Sequence, residues 1–229
     1  MSLFAIADTH LSFGTDKPMD TFEGWSNYTQ RLKENWNKIV DDKDYVVIAG
    51  DISWAMSFSE LEADFDYINK LNGKKIILKG NHDYWWNSLA KVRGALPEGM
   101  YALQNDAFVF GDVAIAGSRG WTCPGSVGFD EAADRPIYDR EVIRMGLSLS
   151  GAPKDKLLLC MMHYPPFNER RQPSGFTELF EQHGAKHVAY GHLHGKACRN
   201  AFEGERNGIQ YTLCSADHLE FKPKLIVAV

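Results

Sequence analysis

Cysteine is scarce in this sequence, long apolar runs are missing and basic residues do not predominate. The four cysteines among 229 residues, Cys123, Cys160, Cys198 and Cys214, show no C-x-x-C spacing. With that spacing absent and a core of this size not needing disulfides, a reducing cytoplasm is the expected compartment. No apolar stretch nears the roughly 20 residues that span a bilayer, and no membrane partner is expected. The first apolar run starts at residue 3, so no signal peptide is expected. With 25 Lys and Arg against 30 Asp and Glu, the net charge of −5 lacks the basic track that a nucleic-acid polymer requires. No repeat, low-complexity tract or linker divides the chain, so one domain over residues 1–229 is expected.

What the sequence does have is a recurring pattern, in which a short apolar run stops at residues of metal-ligand type. Lys75 to Leu78 leads through Lys79 into Gly80-Asn81-His82-Asp83; Leu3 to Ala7 runs into Asp8-Thr9-His10; Tyr45 to Ala49 into Gly50-Asp51. Leu157 to Met162 runs into His163, and His187 to Tyr190 into Gly191-His192-Leu193-His194. Nearly continuous apolar runs of four to six residues fit strands covered on both faces.

Between these runs lie helical patterns. Asp20-x-x-Glu23 offers a capping box for a helix with Trp25, Tyr28, Leu32 and Trp36 on one stripe. A second helix is expected from after Asp51 to about Asn72, closed by Gly73. Strand, helix, strand, helix, strand is the order of parallel βαβ units. Tyr101 to Gly117 reads as strands joined at Gly111-Asp112, which makes the sheet mixed, and Gly117 to Asp130 is a long Gly, Ser and Pro-rich loop. A helix opening at Asp134 and Pro136 ends at Gly151, and Ile209 to Cys214 and Leu225 to Val229 read as terminal antiparallel strands.

In parallel sheets the carboxyl ends of the strands share one edge, so residues far apart in sequence converge there. That gathers Asp8, His10, Asp51, Asn81, His82, His163, His192 and His194 into one cleft. Counted as donors, Asp8, His10 and His194 serve one cation and Asn81, His163 and His192 another, with Asp51 shared, since a carboxylate has two oxygens. Two cations roughly 3.5–4 Å apart form a clamp for in-line displacement at phosphorus.

The ordered set D-x-H, G-D, G-N-H-D, an isolated His and G-H-x-H, spread over residues 8 to 194, resembles the calcineurin-like metallophosphoesterase superfamily. The resemblance implies a four-layer αββα sandwich of two mixed sheets with its site at the carboxyl ends of the strands. It implies the same division of ligands between two transition-metal ions (manganese, iron or zinc), a metal-bridging hydroxide as nucleophile, and His82 as donor of a proton to the leaving oxygen. In the phosphoprotein phosphatase branch a second Asp follows G-D by three residues and orients the equivalent of His82; here Trp54 stands there. The partner of His82 is thus left among Asp83, another carboxylate and a backbone carbonyl.

The function expected is hydrolysis of a small phosphate ester, most of all a phosphodiester or nucleotide. The alternatives are a phosphomonoesterase, a protein phosphatase, a nuclease, and a non-catalytic interaction module on the same fold. Arg119, in the Gly-rich loop, is the candidate for gripping a phosphate oxygen. Trp85 and Trp86, with Tyr84, are expected in the core, and His183, His187 and His218 are expected to be structural.

Overall fold

The computed structural model describes residues 1–228; the end of the last apolar run, Val229, lies outside them. Eleven strands form two sheets among the described residues. The first sheet contains β1 (Ser2–Ile6), β2 (Tyr45–Ala49), β3 (Lys74–Leu78), β4 (Met100–Ala102) and β11 (Lys224–Ala228), in the order β11-β1-β2-β3-β4. The second contains β5 (Ala107–Phe110), β6 (Val113–Ser118), β7 (Leu157–Met162), β8 (His187–Tyr190), β9 (Gly204–Arg206) and β10 (Ile209–Leu213), in the order β5-β6-β7-β8-β10-β9. Inner pairings are parallel, while β11, β5 and β9 lie antiparallel at the edges. Both sheets are therefore mixed, as expected.

Side-chain alternation creates the layers. On β1, Leu3 and Ala5 face the second sheet while Phe4 and Ile6 face helices; on β7, Leu159 and Met161 face the first sheet while Leu158, Cys160 and Met162 face helices. A strand has period two, so one apolar run supplies two buried faces and each sheet must be covered outside as well. Helices α1 (Tyr28–Ile39) and α2 (Phe58–Asn69), joined by α3 (Leu89–Ala95), cover the first sheet, and α4 (Arg135–Ser150) and α5 (Gly175–His183) the second. The result is the αββα sandwich.

Four local expectations need correction. The first helix does not start from a box at Asp20: a short 3-10 turn spans Met19–Thr21, and α1 begins only after Asn27, whose φ of 51° breaks the chain direction. The second helix starts at Ser57, whose hydroxyl accepts from the Glu60 N–H, because the chain before it is held extended by Leu11 and the Asp83 carboxylate at Ile52 and Ser53. The segment Tyr101 to Gly117 divides between sheets: β4 joins β3 in parallel, and only β5 and β6 form the hairpin at Gly111. In the tail, β10 is antiparallel to β9 but parallel to β8, so Ile209 to Cys214 is an inner strand.

Candidate metal centre

Five strand ends build the site. Asp8 and His10 follow β1, Asp51 follows β2, Asn81 and His82 follow β3, His163 follows β7, and His192 and His194 follow β8. The chain turns sharply at these positions: Asp8, His10, Asp51 and His192 have φ of 60°, 43°, 50° and 74°. Non-glycine residues in that region cost on the order of 1–3 kcal/mol each and persist where the surroundings hold them. Here the turns aim side chains inward instead of letting them alternate along a strand.

The two carboxylates are held alike. Asp8 Oδ2 accepts from the His192 backbone N–H at 2.8 Å, and Asp51 Oδ1 accepts from the His82 backbone N–H at 2.8 Å. Each loop approaches closely enough only because a glycine precedes it. A Cβ on Gly191 would lie 2.5 Å from Asp8 Oδ2, and one on Gly80 would lie 2.1 Å from Asp51 Oδ1. One oxygen of each carboxylate is thus anchored, and the other faces imidazoles.

Around the free oxygens the donors fall into two groups. Asp8 Oδ1 lies 3.5 Å from His194 Nε2, which lies 3.3 Å from His10 Nε2. His163 Nε2 lies 2.7 Å from Asn81 Oδ1, 3.2 Å from His192 Nδ1 and 3.4 Å from Asp51 Oδ2. Asp51 Oδ2 is also 3.8 Å from His10 Nε2, which puts it between the groups. Neighbouring donors around an ion bound at about 2.1 Å lie roughly 3.0–3.4 Å apart, so these spacings suit coordination.

Hydrogen bonding also points to cations. The backbone carbonyl of Ala49 accepts from His163 Nδ1 at 3.1 Å, so Nε2 carries the lone pair, and that lone pair meets two oxygens. Asp8 Oδ1 is buried with no hydrogen-bond partner, although an orphaned buried acceptor is costly. Burial pushes His10 and His163 down to about 3 and His192 down to about 4, which keeps these imidazoles neutral, the form that binds metals. Burial, then the charges of Asp83 and Asp8, push Asp51 up to about 9: the anions are crowded and a cation would relieve them. Residues of this kind fit two metal ions.

Asp217 was not foreseen. Burial opposes charge on His194, but the hydrogen bond to Asp217 and the nearby charge of Asp8 outweigh it and push the imidazole up to about 10. Asp217 follows β10 at Cys214-Ser215-Ala216-Asp217, so the same pattern of an apolar run ending in a ligand-type residue marks it, while His218 beside it turns to Glu203 instead of the cluster.

The structure brings His82 beside this cluster and leaves Arg119 outside it. The His82 ring lies 4.5 Å from the Trp54 ring and 5.8 Å from that of His10, and its Nδ1 is 3.4 Å from the Tyr84 hydroxyl. Asp83 does not orient it. That carboxylate is fully buried and accepts from the N–H groups of Ile52, Ser53 and Gly80 and from the Trp85 indole. Trp85 and Trp86 are buried as expected, while Tyr84 is half exposed. Arg119 Nη2 donates to Glu141 at 3.2 Å and its guanidinium lies over Trp121, so the arginine faces a different cavity. Next to the cluster is a cavity of about 390 Å³, lined by His10, Asp51, His82, His192 and His194 on one side and by Met19, Phe22, Trp25 and Trp54 on the other.

The family model for calcineurin-like phosphoesterases matches residues 1–196. An uncharacterized protein of Methanocaldococcus jannaschii is 29% identical over 86 residues, 35% of this chain and 46% of that protein, so the match spans about half the length of the curated relative. A protein of unknown function from Aquifex aeolicus aligns over 98% of this chain and 95% of its own, with a TM-score of 0.52 at 17% identity. A phosphopantetheinyl hydrolase from Mycobacterium tuberculosis aligns over 100% and 96%, with a TM-score of 0.60 at 12% identity. These two likenesses show the fold. The family match does more, since its span contains all five strand ends that supply the paired donor groups, and on that ground the chain belongs to the calcineurin-like phosphoesterase family.

Proposed function

We propose that this protein is a dinuclear-metal hydrolase of small phosphate esters, most of all phosphodiesters or nucleotides. The observation that carries the proposal is the pair of donor groups, Asp8, His10 and His194 beside Asp51, His163 and His192, with Asn81 on the second and Asp51 between them. Two ions held there would neutralise phosphoryl oxygens and activate water for in-line attack.

The rest belongs to the chain. His82 opens onto the same cavity as the donors, which supports the reading that it gives a proton to the leaving oxygen. Burial, then the charge of Lys17, hold its imidazole below the usual range; a phosphate anion beside the ring counters both and favours the protonated form. The wall of Met19, Phe22, Trp25 and Trp54 offers an apolar bed for the leaving group, and the Phe22 ring is exposed enough to stack on a base.

The test is metal analysis of the purified protein followed by assay of phosphomonoesters, cyclic nucleotides, dinucleotides and, because a fold neighbour is a phosphopantetheinyl hydrolase, a phosphopantetheinyl ester. Two ions per chain with turnover of a diester or nucleotide is expected. Turnover confined to monoesters would replace the substrate class, and a metal-loaded protein inert to the whole panel would make the chain a binding module.

A further inference from the structure

A second polar cavity, of about 130 Å³, opens where the carboxyl ends of β3 and β6 meet α4; Lys79, Gln104, Ser118, Arg119, Glu141 and Arg144 are among the residues that line it. Its charges do not balance. Glu141 is the sole carboxylate in the lining and is 1% exposed. Both guanidiniums use the same oxygen, with Arg119 Nη2 at 3.2 Å and Arg144 Nη1 at 2.7 Å from Oε1. Lys79 has only the Trp86 carbonyl as acceptor, at 2.9 Å. Three cations therefore surround one anion.

The other polar groups add donors. Arg119 Nε is buried with no hydrogen-bond partner. The Gln104 amide oxygen accepts from the Trp86 indole at 2.9 Å, which fixes the amide so that its NH₂ remains to donate. Ser118 Oγ accepts from the Gly120 N–H at 3.2 Å, so its hydroxyl proton is free to turn to the cavity. A cavity with surplus positive charge and a surplus of donors matches a group that is all acceptor, small and doubly charged.

We propose that this cavity is a binding site for a phosphate group, held by Lys79, Arg119 and Arg144 and separate from the metal centre. It shares loops with that centre. Lys79 stands two residues before Asn81, and the Arg119 carbonyl accepts from the N–H groups of His163 and Tyr164. The phosphate is either free inorganic phosphate or a second phosphate on a substrate whose scissile ester lies at the metal cluster.

Inorganic phosphate titrated calorimetrically into chelator-treated protein reads this site alone. Saturable binding of one phosphate per chain is expected, and Arg144→Gln should weaken it on the order of tenfold or more, the scale for losing a charge-assisted hydrogen bond. Arg144 is chosen because its side chain is partly exposed, so the variant should fold; Lys79→Gln, with circular dichroism on both, is the second arm. No binding by the chelator-treated protein, or unchanged affinity in both folded variants, overturns the proposal. If Arg144→Gln raises KM for a doubly phosphorylated substrate and not for a singly phosphorylated one, the site reads substrate; if phosphate binding is lost and neither KM moves, the ligand is free phosphate. Metal content plays no part in the calorimetric arm, so failure of the hydrolase proposal and failure of this one are distinguishable.

Discussion

Asp217 holds His194 by the nitrogen that faces away from the Asp8 and His10 donors: its Oδ1 accepts from Nδ1 at 3.0 Å, and its Oδ2 accepts from the Gly195 N–H at 2.8 Å. The bond fixes the tautomer and turns Nε2 towards Asp8. Carboxylates placed in this way behind a ligating histidine are typically worth about 10–100-fold in metal affinity. Asp217→Asn is therefore expected to weaken one ion by that factor and leave the ion on His163 and His192 nearly unchanged. Competition with a chelating dye, followed as ions leave in sequence, measures both; equal loss at the two sites would place Asp217 outside this role.

Why Asp217 escaped the sequence while Asp8 and Asp51 did not has a physical answer. Short apolar runs with ligand-type ends are local signals, and parallel pairing makes such ends converge whatever their separation in sequence. The family motifs do the rest. Partner choice is not local: β10 pairs with β8 rather than lying antiparallel at an edge, and that inner position carries Asp217 to the cleft. Arg119 shows the converse. Its loop is at the right edge, but Glu141, on a helix 22 residues later, draws the guanidinium into another cavity. The start of α1 was misplaced because Asp20 and Glu23 satisfy a capping pattern locally, whereas Trp25 is buried against His10, with ring centroids 6.0 Å apart, and the chain must turn again before the helix begins.

In the proposed dinuclear site Asp51 is the shared carboxylate, so its charge would matter to both ions. Asp51→Asn keeps the shape and removes the charge that offsets repulsion between the cations. Both ions should be held more weakly, while His194→Ala affects mainly one. Elemental analysis after dialysis against chelator is the measurement, and two tightly held ions in the asparagine variant would show that Asp51 does not bridge.

Asp83 keeps the loops after β2 and β3 together. Replacing it by alanine leaves four buried donors, the N–H groups of Ile52, Ser53 and Gly80 and the Trp85 indole, without their acceptor. The expected destabilisation is on the order of 3 kcal/mol or more. Asparagine, which retains one acceptor oxygen, should be milder. Denaturant midpoints for the two variants decide the point: if alanine is no worse than asparagine, the carboxylate does not carry these donors.

His187 predicts a pH dependence away from the metal centre. Burial, then the charge of Lys224, hold its imidazole down to about 4 from an ordinary value of 6.5, and Nε2 lies 2.8 Å from the Thr212 hydroxyl. Between those two values the unfolded chain binds more protons than the folded one, so the contribution to stability is present above the unfolded pKa and is lost as pH falls towards the folded one. On going from about pH 7 to about pH 5, wild type should lose more stability than His187→Gln. Parallel curves for the two proteins would mean that His187 titrates alike in both states.

For His82 the decisive variable is the leaving group. An aryl oxide such as p-nitrophenolate departs without a proton, whereas an alkoxide or ribose oxygen, a far stronger base, needs one in the transition state. A positioned general acid is typically worth on the order of 10² to 10⁴ in rate. His82→Ala should therefore depress kcat strongly for alkyl or ribose esters and much less for p-nitrophenyl esters. Its ring has no hydrogen-bond link to the donor groups, although its backbone N–H anchors Asp51, a bond that alanine retains. Metal content should be unchanged and must be measured alongside the rates. Equal losses on both ester types with the metals intact would assign His82 to stabilising phosphoryl charge, because that role does not depend on the basicity of the departing oxygen.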